Sequence, residues 1–192
     1  MTKNEFEDII TWGYIQMDLK GTLRRDLSPA NTHPGRVAIM LKNKGLRHLN
    51  DDEQDNTYAI VAFFHDMIED GIATYEEILQ VAGKRIADAV LVLSKDPRVK
   101  HDDAYMEEYI SEIGKDILTK NVKVADRIDN VREPKGLKNK RGYVIETEKW
   151  ILGLAKGTVF EEDLEEALQK LRELVEEEEA IRVRAVAGEE IR

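Results

Sequence analysis

Cysteine is absent from the 192 residues, which removes disulfides, thiolate catalysis and cysteine-ligated zinc from consideration and is compatible with a reducing compartment. Long apolar runs are missing as well. The longest uncharged one, Tyr58 to Phe64, falls far short of the ~20 residues that cross a bilayer. At the N-terminus, Met1-Thr2-Lys3-Asn4-Glu5-Phe6-Glu7-Asp8 carries acids where a signal peptide carries bases, and no apolar stretch follows. A cytoplasmic location with no membrane partner is therefore expected. Positive charge is in deficit, with a net charge of −10. Such a chain repels nucleic-acid backbones unless its bases are concentrated locally, so nucleic acid is not an expected partner. Period-two alternation is rare, and neither an internal repeat nor an interdomain linker is found.

What is present is helical periodicity. Apolar residues recur at three- and four-residue spacing through Phe6, Ile9, Ile10, then Val37, Met40, Leu41, then Tyr58, Val61, Phe64, Ile68, and onward through Ile86, Ala89, Val90, Leu93 and Tyr105 to Ile113. The breaks are short and built from turn residues, such as Asp70-Gly71, Ala82-Gly83 and Glu133-Pro134-Lys135-Gly136. Thr74 with Glu77 reads as a capping box, and Pro34 as a first-turn proline. The fold class expected is all-α, a helical array. One domain over residues 1–180 is expected, including a docked C-terminal helix over 161–180 with Leu164, Leu168, Leu171 and Val175 on its apolar face. Residues 181–192 are expected as a tail, with Ile181-Arg182-Val183-Arg184 a short strand or a frayed end. A partner-binding or homo-oligomerising use of the 161–180 helix is a second reading of its acidic surface.

The informative stretch runs from Tyr58 to Gly71, where His65, Asp66, Glu69 and Asp70 interrupt what reads as the most buried helix of the chain. Buried carboxylates without partners cost several kcal/mol each, and one divalent cation could satisfy several together. On a continuous helix, His65 lies one turn before Glu69 and Asp66 one turn before Asp70, a rise of roughly 6 Å. The first pair could bind a metal while the second reaches a water. A similar ladder lies in Asp126 and Asn130, and His33 stands at a helix start before Pro34. Two imidazoles and two carboxylates suit one divalent ion such as Mn²⁺, Fe²⁺ or Zn²⁺. Plainer readings also fit these residues: a cap or surface role for His33, a salt bridge from Asp126 to Lys123 or Arg127, and a surface amide for Asn130.

Taken together, His33-Pro34, His65-Asp66, Glu69-Asp70 and Ala125-Asp126 through Asn130 resemble the signature of the HD-domain phosphohydrolases, in particular the alarmone hydrolase branch with its small alarmone hydrolases and Rel/SpoT-like enzymes. The likeness covers about residues 5 to 155. It implies that His33, His65, Asp66 and Asp126 are metal ligands, usually of Mn²⁺. It further implies that Glu69 and Asp70 position or deprotonate the attacking water, and that Asn130 contacts the substrate ribose or phosphate. The expected reaction is removal of pyrophosphate from the 3′ position of (p)ppGpp. An anionic nucleotide needs local bases, and the candidates are Arg24 and Arg25, the Lys95-Arg98-Lys100 loop, and Lys135, Lys138, Lys140 and Arg141. Arg25 is expected to stack on guanine by the same resemblance. Asp26 stands where the family has a base. That departure motivates an alternative, an HD-type hydrolase of another nucleotide (a deoxynucleoside triphosphate, a nucleoside monophosphate or NADPH). A non-catalytic metal- or nucleotide-binding sensor module is the third reading.

Overall fold

A computed structural model describes residues 1–21, 29, 31–46, 56–99, 101–134 and 137–187. The N-terminal helix α1 (Lys3–Lys20) starts at a capping box in which the Thr2 hydroxyl accepts from the Glu5 amide and the Glu5 carboxylate accepts from the Thr2 amide. Helices α2 (Thr32–Asn43) and α3 (Thr57–Phe64) pack tightly against each other. Helix α1 lies over α3, where Gly13 lets it approach: a Cβ built there would stand 2.5 Å from the Phe64 ring. Trp12 and Tyr14 complete this contact on Phe64 and Phe63.

Helix α4 (Tyr75–Ala82) opens with the expected Thr74/Glu77 capping box and is followed by α5 (Lys84–Leu93) and α6 (Asp103–Gly114). The long α7 (Ile117–Arg132) then runs through the middle of the array, touching α2, α3, α5 and α6. Every residue from Asn121 to Asp129 is buried. Helix α8 (Lys140–Glu146) leads into a π turn (Thr147–Ile151), α9 (Leu152–Ala155) and α10 (Glu161–Ala187). In the π turn the Thr147 hydroxyl donates to the Tyr143 carbonyl at 2.7 Å, a carbonyl that also accepts from the Thr147 amide. The inner face of α10 buries Leu164, Ala167, Leu168 and Leu171 against α7, α8 and α9. No β-strand occurs among the described residues, and no described helix is long and apolar enough to cross a membrane.

Two boundaries differ from expectation. Helix α10 continues to Ala187, so residues 181–187 are a helical extension rather than a strand or tail, and 188–192 lie outside the described residues. Helix α3 stops at Phe64, and residues 65–70 form consecutive turns in place of a continuous helix. The cause is local. His65 Nδ1 donates to the Ala62 carbonyl at 2.7 Å, the acceptor a continuing helix would offer to the amide of residue 66. The chain then tightens, with the Met67 amide bonding to the Phe64 carbonyl, and Gly71 closes the turns at φ 63°.

Candidate metal centre

Three segments deliver the polar side chains to one place. The first turn of α2 brings His33, the turn beyond α3 brings His65 and Asp66, and the middle of α7 brings Asp126. One ligand atom each from His33, His65 and Asp66 lies within 4.8 Å of the others. Asp66 Oδ2 is 3.0 Å from His65 Nε2 and 3.8 Å from His33 Nε2, while Asp126 Oδ1 is 3.1 Å from His33 Nε2 and 3.7 Å from His65 Nε2. Donor atoms about 2.1 Å from a shared ion stand roughly 3.0–3.4 Å from one another. The observed spacings bracket that range.

The proton arrangement agrees with this geometry. His33 Nδ1 faces Asp129 Oδ2 at 2.6 Å and His65 Nδ1 faces the Ala62 carbonyl, so in each neutral ring the proton belongs on Nδ1 and the lone pair on Nε2. With both rings neutral, the two Nε2 atoms present electron pairs to the carboxylates, His33 Nε2 standing 3.1 Å from Asp126 Oδ1. His65 Nε2 is buried and forms no hydrogen bond despite its proximity to Asp66. An orphaned acceptor among acceptors fits a cation, and this histidine–aspartate cluster could hold one divalent ion.

Without an ion, the same carboxylates draw a proton onto the cluster. Burial favours the neutral His65 ring, but the Asp66 and Asp126 carboxylates outweigh it and hold its pKa well above the ordinary histidine value. Burial would raise Asp126, yet Lys123 and the two histidines keep it well below the usual carboxylate range, and Asp66 is likewise lowered, chiefly by His65 against its own desolvation. The cluster recruits positive charge wherever it can. Lys123 Nζ donates to Asp126 Oδ2 at 2.9 Å, so the salt bridge anticipated for Asp126 exists alongside the contacts to the histidines. Asn130, expected to face substrate, donates Nδ2 to Asp126 Oδ1 at 2.6 Å and so holds that oxygen.

Glu69 is partly buried with Oε2 accepting from the Lys95 backbone amide at 3.0 Å, while Asp70 is exposed. Lys95 joins Lys123 and Arg127 around the Tyr109 and Tyr143 rings. Burial, then the Lys123 and Arg127 charges, lowers the Lys95 pKa to about 8. Arg127 is anchored to Glu146 at 2.6 Å. Of the other candidate bases, Arg98 folds back on Asp96, and Lys140 and Arg141 pair with Glu178 and Glu179 of α10. Arg24, Arg25, Lys100 and Lys135 lie outside the described residues. Asp129 and Arg36 were not among the expected site residues. The only signal for them was spacing, Asp129 three residues beyond Asp126 and Arg36 three beyond His33.

No protein-family model matches the chain. Among curated proteins it is 32% identical over 112 residues to a guanosine-3′,5′-bis(diphosphate) 3′-pyrophosphohydrolase of Aquifex aeolicus, covering 57% of this chain and 15% of that protein. It is 34% identical over 119 residues to the bifunctional (p)ppGpp synthase/hydrolase SpoT of Escherichia coli K12, covering 59% of this chain and 16% of the relative. The chain thus spans about a sixth of the length of the curated relatives it matches. A solved structure of a metazoan orthologue of SpoT, described as hydrolysing ppGpp, superposes with a TM-score of 0.71 at 19% identity over 88% of this chain and 97% of the other. The resemblance read from the motifs and the all-α fold are both borne out.

Proposed function

We propose that this chain is a metal-dependent phosphohydrolase that removes pyrophosphate from the 3′ position of a guanosine bis(diphosphate), with His33, His65, Asp66 and Asp126 as ligands of one divalent ion. The observation that carries the reading is the convergence of two buried imidazole Nε2 lone pairs with two carboxylates, both Nδ1 atoms being committed elsewhere. Names of the matching relatives support the substrate. A set of two nitrogens and two oxygens suits Mn²⁺, the ion we favour over Zn²⁺ and Fe²⁺. Bound there, the ion would supply Lewis acidity to the phosphoryl group and its attacking water.

The chain's own residues provide the rest. Glu69, with one oxygen fixed by the Lys95 amide, takes the proton of the water that attacks phosphorus, and Asp70 beside it orients that water. As the new P–O bond forms, the bond to the ribose 3′ oxygen breaks, leaving a hydroxyl on the nucleoside once protonated and releasing pyrophosphate. Lys95, with Lys123 and Arg127 behind it, places positive charge beside Glu69, where the departing phosphates need it. Arg24 and Arg25 are proposed to face the guanosine, and Asn130 to turn between the Asp126 oxygen and the substrate. We propose the cytoplasm as the place of action.

The test is incubation of purified, metal-reconstituted protein with ppGpp, monitoring GDP and pyrophosphate, beside a panel of other nucleotides read for phosphate and pyrophosphate. Turnover of ppGpp with Mn²⁺ above the rest of the panel is the expected result. Absence of ppGpp turnover with Mn²⁺, Zn²⁺ and Fe²⁺ alike rejects it.

A further inference from the structure

Behind the candidate ligands, α2 and α7 are joined by a second polar clamp. His33 and Arg36 stand on one turn of α2, and Asp126 and Asp129 on one turn of α7. Asp129 Oδ2 accepts from His33 Nδ1 at 2.6 Å and from Arg36 Nη2 at 2.9 Å, while Oδ1 accepts from Arg36 Nε at 2.8 Å. The Asp129 carboxylate is buried, whereas the Arg36 side chain reaches the surface. Asp129 thus touches none of the other candidate ligands' donor atoms and yet fixes the ring that presents one of them.

We propose that Asp129 is a positioning residue, which holds His33 in the Nδ1–H tautomer with Nε2 turned into the centre, and that Arg36 in turn locks the Asp129 carboxylate. The inference rests on the metal-centre reading above. Its chemistry is that of a carboxylate bonded to the far nitrogen of a ligating imidazole, which fixes ring orientation and makes Nε2 a better electron-pair donor. His65 reaches the same tautomer through a backbone carbonyl, which no side-chain substitution removes. The two histidines therefore differ: one orientation is built into the main chain and the other depends on a single replaceable side chain.

The experiment compares the wild-type chain with D129A and D129N, using Mn²⁺ calorimetry, melting in EDTA, and the imidazole ¹⁵N spectrum of Zn²⁺-loaded protein. D129A is expected to bind Mn²⁺ roughly 10- to 100-fold more weakly and to lose the slowly exchanging His33 Nδ1–H signal. D129N must turn an amide N–H towards a donor of Arg36 and is expected to weaken Mn²⁺ binding as well. The double variant R36L/D129N relieves that clash, keeps a carbonyl for His33, and should recover part of the affinity. Mn²⁺ binding by folded D129A within twofold of wild type overturns the proposal, as does a proton on His33 Nε2 in zinc-loaded wild type, a reading that stands even where D129A does not fold. Failure of the wild type to bind any ion sinks the metal centre itself, and is thereby distinguished from failure of the Asp129 role.

Discussion

Helix α7 carries two buried polar groups that end up in opposite electrical condition. Around Asp126 and Asp129 the side chains are rich in acceptors, and one of them, His65 Nε2, has no hydrogen-bond partner among the described residues. Around Lys123 and Arg127 they are rich in cations, with Lys95 lowered to about 8 by burial and by those neighbours. Lys123 spans the boundary through its bond to Asp126. Burying charge is costly on either side, so a segment that keeps a carboxylate-rich cluster next to a surplus of cations invites two different guests. The acidic side suits a divalent ion, and the basic side suits the phosphates of a substrate. A chain of net charge −10 would gain affinity for an anion here locally, against its overall field.

The sharpest way to break this comparison is Asp126→Asn set against His65→Ala. Both variants should lose the ion, measured by calorimetry. Only Asp126→Asn also leaves Lys123 buried without its carboxylate, which costs about 3–5 kcal/mol when one partner of a buried pair is removed. Urea unfolding in EDTA should therefore separate them beyond the cavity cost of the lost ring. Equal stabilities would mean that Lys123 finds another partner and that the two sides are not coupled through Asp126. Next in size is Glu69→Gln, which should lower kcat by roughly 10²–10⁴ if the carboxylate takes the proton, while Mn²⁺ affinity stays close to wild type. A variant with full activity would remove Glu69 from the chemistry.

The acidic side was more legible in the sequence than the basic side. His65, Asp66 and Asp126 announce themselves because ionisable residues interrupt apolar helical segments, and the helical array follows from apolar spacing alone. The end of α3 at Phe64 was hidden, because it depends on a His65 side-chain bond to Ala62 that periodicity does not encode. Asp129 was hidden for a related reason: three residues from Asp126 on a helix is equally the spacing of a solvated face, and only the approach of α2 gives it His33 and Arg36 as partners. Lys95 reads as a base near substrate, but its altered titration arises from its burial and then from Lys123 and Arg127, far away along the chain. Lys140 and Arg141 read as solvated loop bases as readily as substrate bases, and the partners that α10 supplies, Glu178 and Glu179, lie too far along the chain to be foreseen.

Lys95→Met sharpens the comparison through pH. The folded-state pKa of about 8 lies below the ordinary lysine value of 10.5, so the folded protein gives up this proton before the unfolded chain does. Wild-type stability should therefore rise as pH passes from about 8 to 10.5, by roughly 3 kcal/mol for a shift of that size. The variant has no such group, so the wild type should gain on it by that amount across the window. Chemical denaturation at pH 7, 9 and 10.5 measures the difference, and a constant gap would show that Lys95 keeps an ordinary pKa. In turnover assays the same variant should raise KM for a phosphorylated substrate more than it lowers kcat.

The smallest effect is expected at the outer end of α10. Glu178 and Glu179 hold Lys140 at 2.7 Å and Arg141 at 3.1 Å, pairs that are partly or largely open to solvent and worth about 0.2–1 kcal/mol each. The double variant Glu178→Gln, Glu179→Gln should lower stability only within that range and leave KM unchanged, because its cations belong to the α8–α10 contact and not to the basic side of α7. If freeing Lys140 and Arg141 instead lowered KM for a phosphorylated substrate, the cation surplus would extend beyond Lys95, Lys123 and Arg127. The acidic helix would then act as a brake on substrate capture, and the boundary drawn here between the two sides of α7 would have to move outward.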